Sequence, residues 1–185
     1  MKRYILIAGV NGAGKSTLYQ TLDSLQGMHR INMNEIVRNF GNWKNPNDIA
    51  KAGRIAVGLI REYFENGLSF NQETTLCGKS ILRNIKYAKQ LGYEIELHYV
   101  GIDSADLAKA RIAYRVAQGG HGIPDDDVER RFIESKDQLK RVLPLCDVAV
   151  LYDNTESFYR VAIYKSGHIE NLSEKLPDWY LEMDL

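Results

Sequence analysis

The chain has 185 residues, a length that fits one domain with one sizeable core. Its 24 basic and 24 acidic residues cancel, which argues against a partner held mainly by charge, such as duplex DNA or an anionic membrane. Cys77 and Cys146 stand far apart with no CxxC spacing, so disulfide-framework and zinc readings are poor and a reducing cytosol is the expected setting.

The opening MKRYILIAGV briefly imitates a signal peptide, with two positive charges before an apolar run. The run is short and flows into Asn11-Gly12-Ala13-Gly14-Lys15, without a small-residue cleavage site or spanning length. Tyr4–Val10 is expected instead as a central parallel strand, covered on both faces. Ser16–Leu25 then reads as a helix and His29–Asn32 as a second strand. In the stretch Asp48–Asn66, apolar residues at Ile49, Ala52, Ala56, Leu59, Ile60 and Tyr63 mark an amphipathic helix, closed by Asn66-Gly67. Strands at Leu68–Glu73, Glu94–Ile102 and Cys146–Tyr152 alternate with helices at Ser80–Leu91, Asp103–Gln118 and Asp126–Val142. Helical crossovers between strands imply an α/β, doubly wound, mainly parallel five-stranded sheet. Phe158–Tyr164 and His168–Leu172 flank Lys165-Ser166-Gly167 as a β-hairpin. One domain over 1–185 is expected: a core over 1–156 with a lid near 111–135, and a hairpin appendage over 157–185 without chemistry of its own.

The segment GVNGAGKST, from Gly9 to Thr17, matches G-x-x-x-x-G-K-[ST] in full. It follows an apolar strand and precedes a helix, the context its mechanism needs. Glycines at 9, 12 and 14 let the backbone turn, so that the amides around Asn11 and Ala13 aim at phosphate oxygens. Lys15 reaches the outer phosphates, and Ser16 and Thr17 open the helix, with the Ser16 hydroxyl offered to Mg²⁺. The loop alone does not choose a reaction. No Asn-Lys-x-Asp base reader is present, and the short chain with one flexible loop favours a small ATP-dependent kinase over a GTPase or motor.

In open α/β sheets, ligands gather at the carboxyl ends of the strands. Asn32, Asn34 and Glu35 leave the second strand there, and Gln72, Glu73, Thr74 and Thr75 leave the third. Glu73 can hold Mg²⁺ through water or bind an acceptor hydroxyl. Asp153 and Asn154, beyond the fifth strand, read as turn formers. Arg111 and Arg115 share a helical face, Arg130 and Arg131 sit early on the next helix, and Gly119-Gly120-His121-Gly122 lies between them. A flexible elbow with arginines on both banks suits a lid that neutralises charge on a transferred phosphoryl group.

These motifs together resemble the zeta toxin family and its relatives, small P-loop kinases. The similarity runs from Tyr4 to about Asn154 through the P-loop, INMNEI, SFNQETTL, RVAQGGH and RRF. The resemblance implies a nucleoside-kinase-like fold and ATP- and Mg²⁺-dependent phosphorylation of a hydroxyl. In the best-known branch the acceptor is a UDP-activated amino sugar, and a small antitoxin protein restrains the enzyme. By position, Lys15 and Ser16 bind phosphate and metal, Glu73 and Thr75 face the acceptor, and Arg115 with Arg130 or Arg131 clamps phosphates. Where the family carries Asn-x-Asp-Glu with Asp as base, this chain has Asn32-Met33-Asn34-Glu35. The Asn34 amide orients a hydroxyl but takes no proton. Glu35 points about 100° away and is no obvious stand-in. A cytoplasmic small-molecule kinase is the leading expectation; an ATP hydrolase or a nucleotide-sensing module is the alternative that Asn34 raises. No nucleic-acid or membrane partner is expected.

Overall fold

The computed structural model describes residues 1–184. Its strands are β1 (Arg3–Ala8), β2 (His29–Ile31), β3 (Phe70–Thr74), β4 (Glu94–Gly101), β5 (Val148–Asp153), β6 (Tyr159–Lys165) and β7 (His168–Leu172). The helices are α1 (Lys15–Thr21), α2 (Met33–Phe40), α3 (Pro46–Glu65), α4 (Lys79–Gln90), α5 (Ala105–Ala117), α6 (Asp125–Val142) and α7 (Asp178–Leu181).

Central position follows from composition. Tyr4 to Ala8 are all fully buried, so β1 must be covered on both faces, as parallel strands are. Tyr4, Leu6 and Ala8 enter one core, while Ile5 and Ile7 enter the other. The sheet has seven strands in the order β2-β3-β1-β4-β5-β6-β7. Neighbours from β2 to β5 pair in parallel, and β6 and β7 add on antiparallel. The α/β reading of a mainly parallel sheet therefore holds, and the expected hairpin continues that sheet beyond β5.

The larger core holds an aromatic knot under β1 and β3. Phe64 lies 5.3 Å from Tyr4, 5.1 Å from Phe70 and 5.3 Å from Tyr93, each edge to face. Such pairs add to simple area burial. They fix α3 against the sheet, so the loop that precedes α3 is held over the carboxyl ends of the strands.

Helix boundaries differ from the pattern-based expectation where caps act. The first helix ends at Thr21, because Leu22 leaves the helical region (φ −97°, ψ 85°) and a short 3₁₀ turn over Asp23–Leu25 follows. α3 starts two residues early, with Pro46 at its first turn and the Asn45 side chain accepting from the Asn47 amide. α7 had no periodic signal, being one turn long. Yet Trp179 within it is among the most buried side chains, at 1% exposure. Among the described residues, no helix is long and apolar enough to cross a membrane.

Phe70→Ala is expected to destabilise the fold by about 3–5 kcal/mol, because Phe70 is fully buried and touches three rings of the knot. Urea unfolding should show a lower midpoint with an unchanged slope.

Candidate active site

The register of β1 with β3 sets the site. Ile7 stands beside Glu73, and Ala8 beside Thr74, so the end of β3 flanks the strand that feeds the glycine loop. At Gly9 the backbone turns to φ 138°, and a Cβ there would collide with the Val100 carbonyl oxygen of β4. At Gly14 φ is 106°, and a Cβ would strike the Asn154 amide. Only glycine passes both places. The loop is closed by Ala13 N–H donating to the Val10 carbonyl at 3.2 Å, and Lys15 Nζ donates to that same oxygen at 3.1 Å. Burial pushes the Lys15 pKa below its ordinary value; Glu73 opposes the shift, and Arg115 and Arg131 add to it.

Glu73 is held from behind. Its Oε2 accepts from Arg30 Nη2 and from Asn32 Nδ2, both at 2.8 Å. Its two oxygens also lie 3.4 and 3.3 Å from the Ser16 hydroxyl, which donates toward them. Arg30 is fixed in turn: its guanidinium stacks 3.5 Å above the Tyr19 ring and also donates to Glu35 and Asn71. The Asn32 side chain does double duty, with Oδ1 accepting from the amides of Asn34 and Glu35 to cap α2. Together Ser16 and Glu73 offer a hydroxyl and a carboxylate, oxygen donors of the kind Mg²⁺ selects.

Facing this carboxylate are arginines from α5. Arg111 Nη1 and Arg115 Nη2 are buried with no hydrogen-bond partner, although Arg111 Nη2 reaches the Thr155 carbonyl at 3.0 Å and Arg115 Nε the His121 carbonyl at 3.1 Å. A buried guanidinium N–H without an acceptor is costly. Arg131 of α6 donates to Asn11 Oδ1 at 3.1 Å, tying the second helix to the loop. The half-open cleft measures about 820 Å³, within the range of small-molecule sites. Met33, Asn34, Val37, Trp43, Ile49 and His121 also line it. There the His121 ring meets Trp43 edge-on at 6.3 Å. Burial, with Arg115, Lys15 and Arg38 adding charge repulsion, holds His121 down at about 4.

Most of the expected residues converge. Asn11, Gly12, Gly14, Lys15, Ser16, Thr17, Asn34, Glu73, Thr75, Arg115 and Arg131 all line the cleft, while Gly9 and Ala13 shape its loop from behind. One assignment changes. Glu35 is not on the cleft: one step along α2 turns it away, and its half-exposed carboxylate pairs with Arg30 Nε at 3.0 Å. Arg130 also lines the cleft, where Asp127 at 2.7 Å and Glu134 at 3.1 Å pair with its guanidinium. Its own helix supplies those partners at i−3 and i+4.

Arg30, Trp43 and Asn154 carry more than sequence reasoning gave them. For Arg30 a signal existed: β2 pairs with β3 so that Arg30 stands beside Asn71, and alternation puts Glu73 on the same face. Asn154 does not merely turn the chain; its Nδ2 donates to the Ala13 carbonyl at 2.8 Å. Nothing in the sequence pattern marked Trp43. Among the described residues, no group of three or more His, Cys, Asp or Glu side chains gathers as a metal cluster.

Residues 5–142 match the AAA domain family. The chain belongs to that family. An uncharacterized protein of Haemophilus influenzae is 39% identical over 131 residues, covering 69% of this chain and 91% of that protein. Among solved structures, the AvrRxo1-ORF1:-ORF2 complex with ATP superposes with a TM-score of 0.72 at 15% identity, covering 92% of this chain and 60% of the solved one. A structure of the PezAT chromosomal toxin-antitoxin system of Streptococcus pneumoniae gives 0.63 at 19% identity, over 86% of this chain and 72% of that one. At such identities the likeness is one of fold, and the fold of this AAA domain protein is P-loop kinase-like.

His121 supplies a pH test. Its folded pKa of about 4 lies below the ordinary histidine value of 6.5, so the folded state binds fewer protons than the unfolded chain between them. Stability should therefore fall as pH drops from 7 toward 4. His121→Gln should flatten that dependence, read as the urea midpoint at pH 7 and at pH 5.

Proposed function

We propose that this protein is an ATP- and Mg²⁺-dependent kinase that transfers the γ-phosphoryl group to a hydroxyl of a small molecule. One observation carries the reading: Glu73 is clamped by Arg30 and Asn32 so that its oxygens face Ser16, while two arginines across the cleft keep unpartnered nitrogens. Such a site presents positive charge to a phosphate chain and a fixed carboxylate to whatever lies beside its end.

Loop amides and Lys15 would bind the β- and γ-phosphates, with Arg115 and Arg131 neutralising their charge as the lid formed by α5, α6 and residues 118–124 closes. Ser16, with Glu73 through water, would hold Mg²⁺, which supplies charge neutralisation on the phosphates when bound. The acceptor hydroxyl would lie between Glu73, Asn34 and Thr75. Its oxygen would form the new bond to the γ-phosphorus as the bond to the bridging β–γ oxygen breaks and ADP departs. Asn34 would orient that hydroxyl without taking its proton, which would pass to an oxygen of the transferred phosphoryl group and from there to water. Loose phosphoryl transfer leans on positioning and electrostatics more than on a base, so the chemistry survives the change at lower speed. By resemblance to the zeta toxins, a UDP-amino sugar is the first acceptor to try and an antitoxin-like protein the first partner. The structures of AvrRxo1-ORF1 and of the PezAT system concern two-protein assemblies, which supports looking for one here. We place this activity in the cytoplasm.

A second reading follows from Asn34 alone: an ATP hydrolase or a nucleotide sensor without phosphotransfer. Phosphate release without any acceptor marks the first, and binding without turnover marks the second. The deciding experiment follows ADP release from Mg–ATP across a panel of sugar nucleotides and other hydroxyl compounds, with mass detection of phosphorylated product. Product with any member supports the kinase; normal ATP binding with no product across the panel sinks it.

Two substitutions sharpen the test. Lys15→Ala should abolish detectable ATP binding by calorimetry while leaving the thermal midpoint within a few degrees. Asn34→Asp should raise kcat by an order of magnitude or more, since general-base help is worth about 10²–10⁴.

A further inference from the structure

The segment after β7 lies outside the stretch that matches the family, and its sequence carries no motif. Trp179 nevertheless connects to the phosphate loop through hydrogen bonds joined by the backbone of the β5–β6 loop. Trp179 sits at 1% exposure, its indole laid on Gly101 at the end of β4, where any Cβ would collide with the ring. The Trp179 Nε1–H donates to Asp153 Oδ1 at 2.8 Å. Asp153, itself 3% exposed, also takes the Thr155 hydroxyl at 2.8 Å and the Thr155 amide at 3.0 Å. A buried carboxylate needs such donors, and losing one leaves it undersatisfied.

That carboxylate fixes the β5–β6 loop, and the loop holds the site on two sides. Asn154 N–H donates to the Gly101 carbonyl at 3.0 Å, which aims the Asn154 amide at Ala13 O, 2.8 Å away. One residue on, the Thr155 carbonyl accepts from Arg111 Nη2 at 3.0 Å, leaving Nη1 buried without a partner. One loop thus pins both the turn of the glycine loop and an arginine of α5.

We propose that Trp179 is a positioning residue for nucleotide binding: through Asp153 it sets the β5–β6 loop, and through Asn154 and Thr155 that loop sets the phosphate loop and Arg111. This rests on the nucleotide-binding part of the proposed function, not on the identity of an acceptor. Nothing in it requires Trp179 to touch the nucleotide. Because binding and ordering are reciprocal, nucleotide at the loop must in turn steady the segment around Trp179.

The test measures binding of Mg²⁺ with a non-hydrolysable ATP analogue by calorimetry, beside thermal unfolding. Trp179→Phe keeps an aromatic ring but loses the N–H and part of the buried indole; it should bind about tenfold more weakly, the scale of one hydrogen bond to a charged group. Asn154→Ala should show a similar loss, and the double variant should lose little beyond the worse single one. A Trp179 that is only structural would lower the midpoint and leave affinity alone, or add its loss in full to that of Asn154→Ala; either result overturns the proposal. Hydrogen exchange on the unmodified protein gives an independent reading should Trp179→Phe fail to fold. Amides over 176–184 should exchange several-fold more slowly with the analogue bound, and unchanged exchange there counts against the coupling. An unmodified protein that does not bind the analogue brings down the nucleotide reading itself, whereas normal binding by every variant brings down only the role given to Trp179.

Discussion

The parallel pairing of β1 with β3 is the constraint on which the rest depends. With Ile7 beside Glu73, a carboxylate arrives next to the strand that runs into the glycine loop, and the Ser16 hydroxyl comes within 3.3 Å of it. A slip of one residue would send Glu73 to the opposite face of the sheet. That register is secured elsewhere, by residues with no chemistry. Phe70 and Tyr4 lie directly opposite one another in the same pairing, and both are fully buried in the aromatic knot. Packing energy deep in the core thus decides where a charge sits at the rim.

Charge in the cleft is arranged around that carboxylate. Lys15, Arg111, Arg115 and Arg131 line one chamber with Glu73, and Arg30 holds it from behind. Much of this positive charge is buried and incompletely paired, an arrangement that favours a polyanion over a neutral ligand. The same cleft also takes apolar lining from Trp43, Val37, Ile49 and Met33. A ligand filling it would meet both charged and apolar surface.

How legible was all this from residue order? The glycine loop and the strand before it were fully so, because both signals are local: a spacing of glycines and a run of apolar residues. Glu73 was also legible, since it ends a strand whose direction the alternation of strand and helix implies. Glu35 was misplaced because Arg30, five residues earlier on β2, pairs with its carboxylate outside the cleft. Trp43 and Trp179 were invisible because their environments come from segments distant in sequence. Gly101 makes the seat for Trp179, and neither residue alone declares the match.

The phosphate loop meets its supports far downstream: Asn11 is bonded to Arg131, and Ala13 to Asn154, 141 residues later. A growing chain emerges from its amino end, so the loop is synthesised early while the groups that steady it come late. Closing such long loops costs entropy before any contact repays it. During translation the glycine turn therefore spends most of its time without its props, and a competent site is among the last features the polypeptide acquires. The glycine turn gains its full set of supports only once residue 154 has been made.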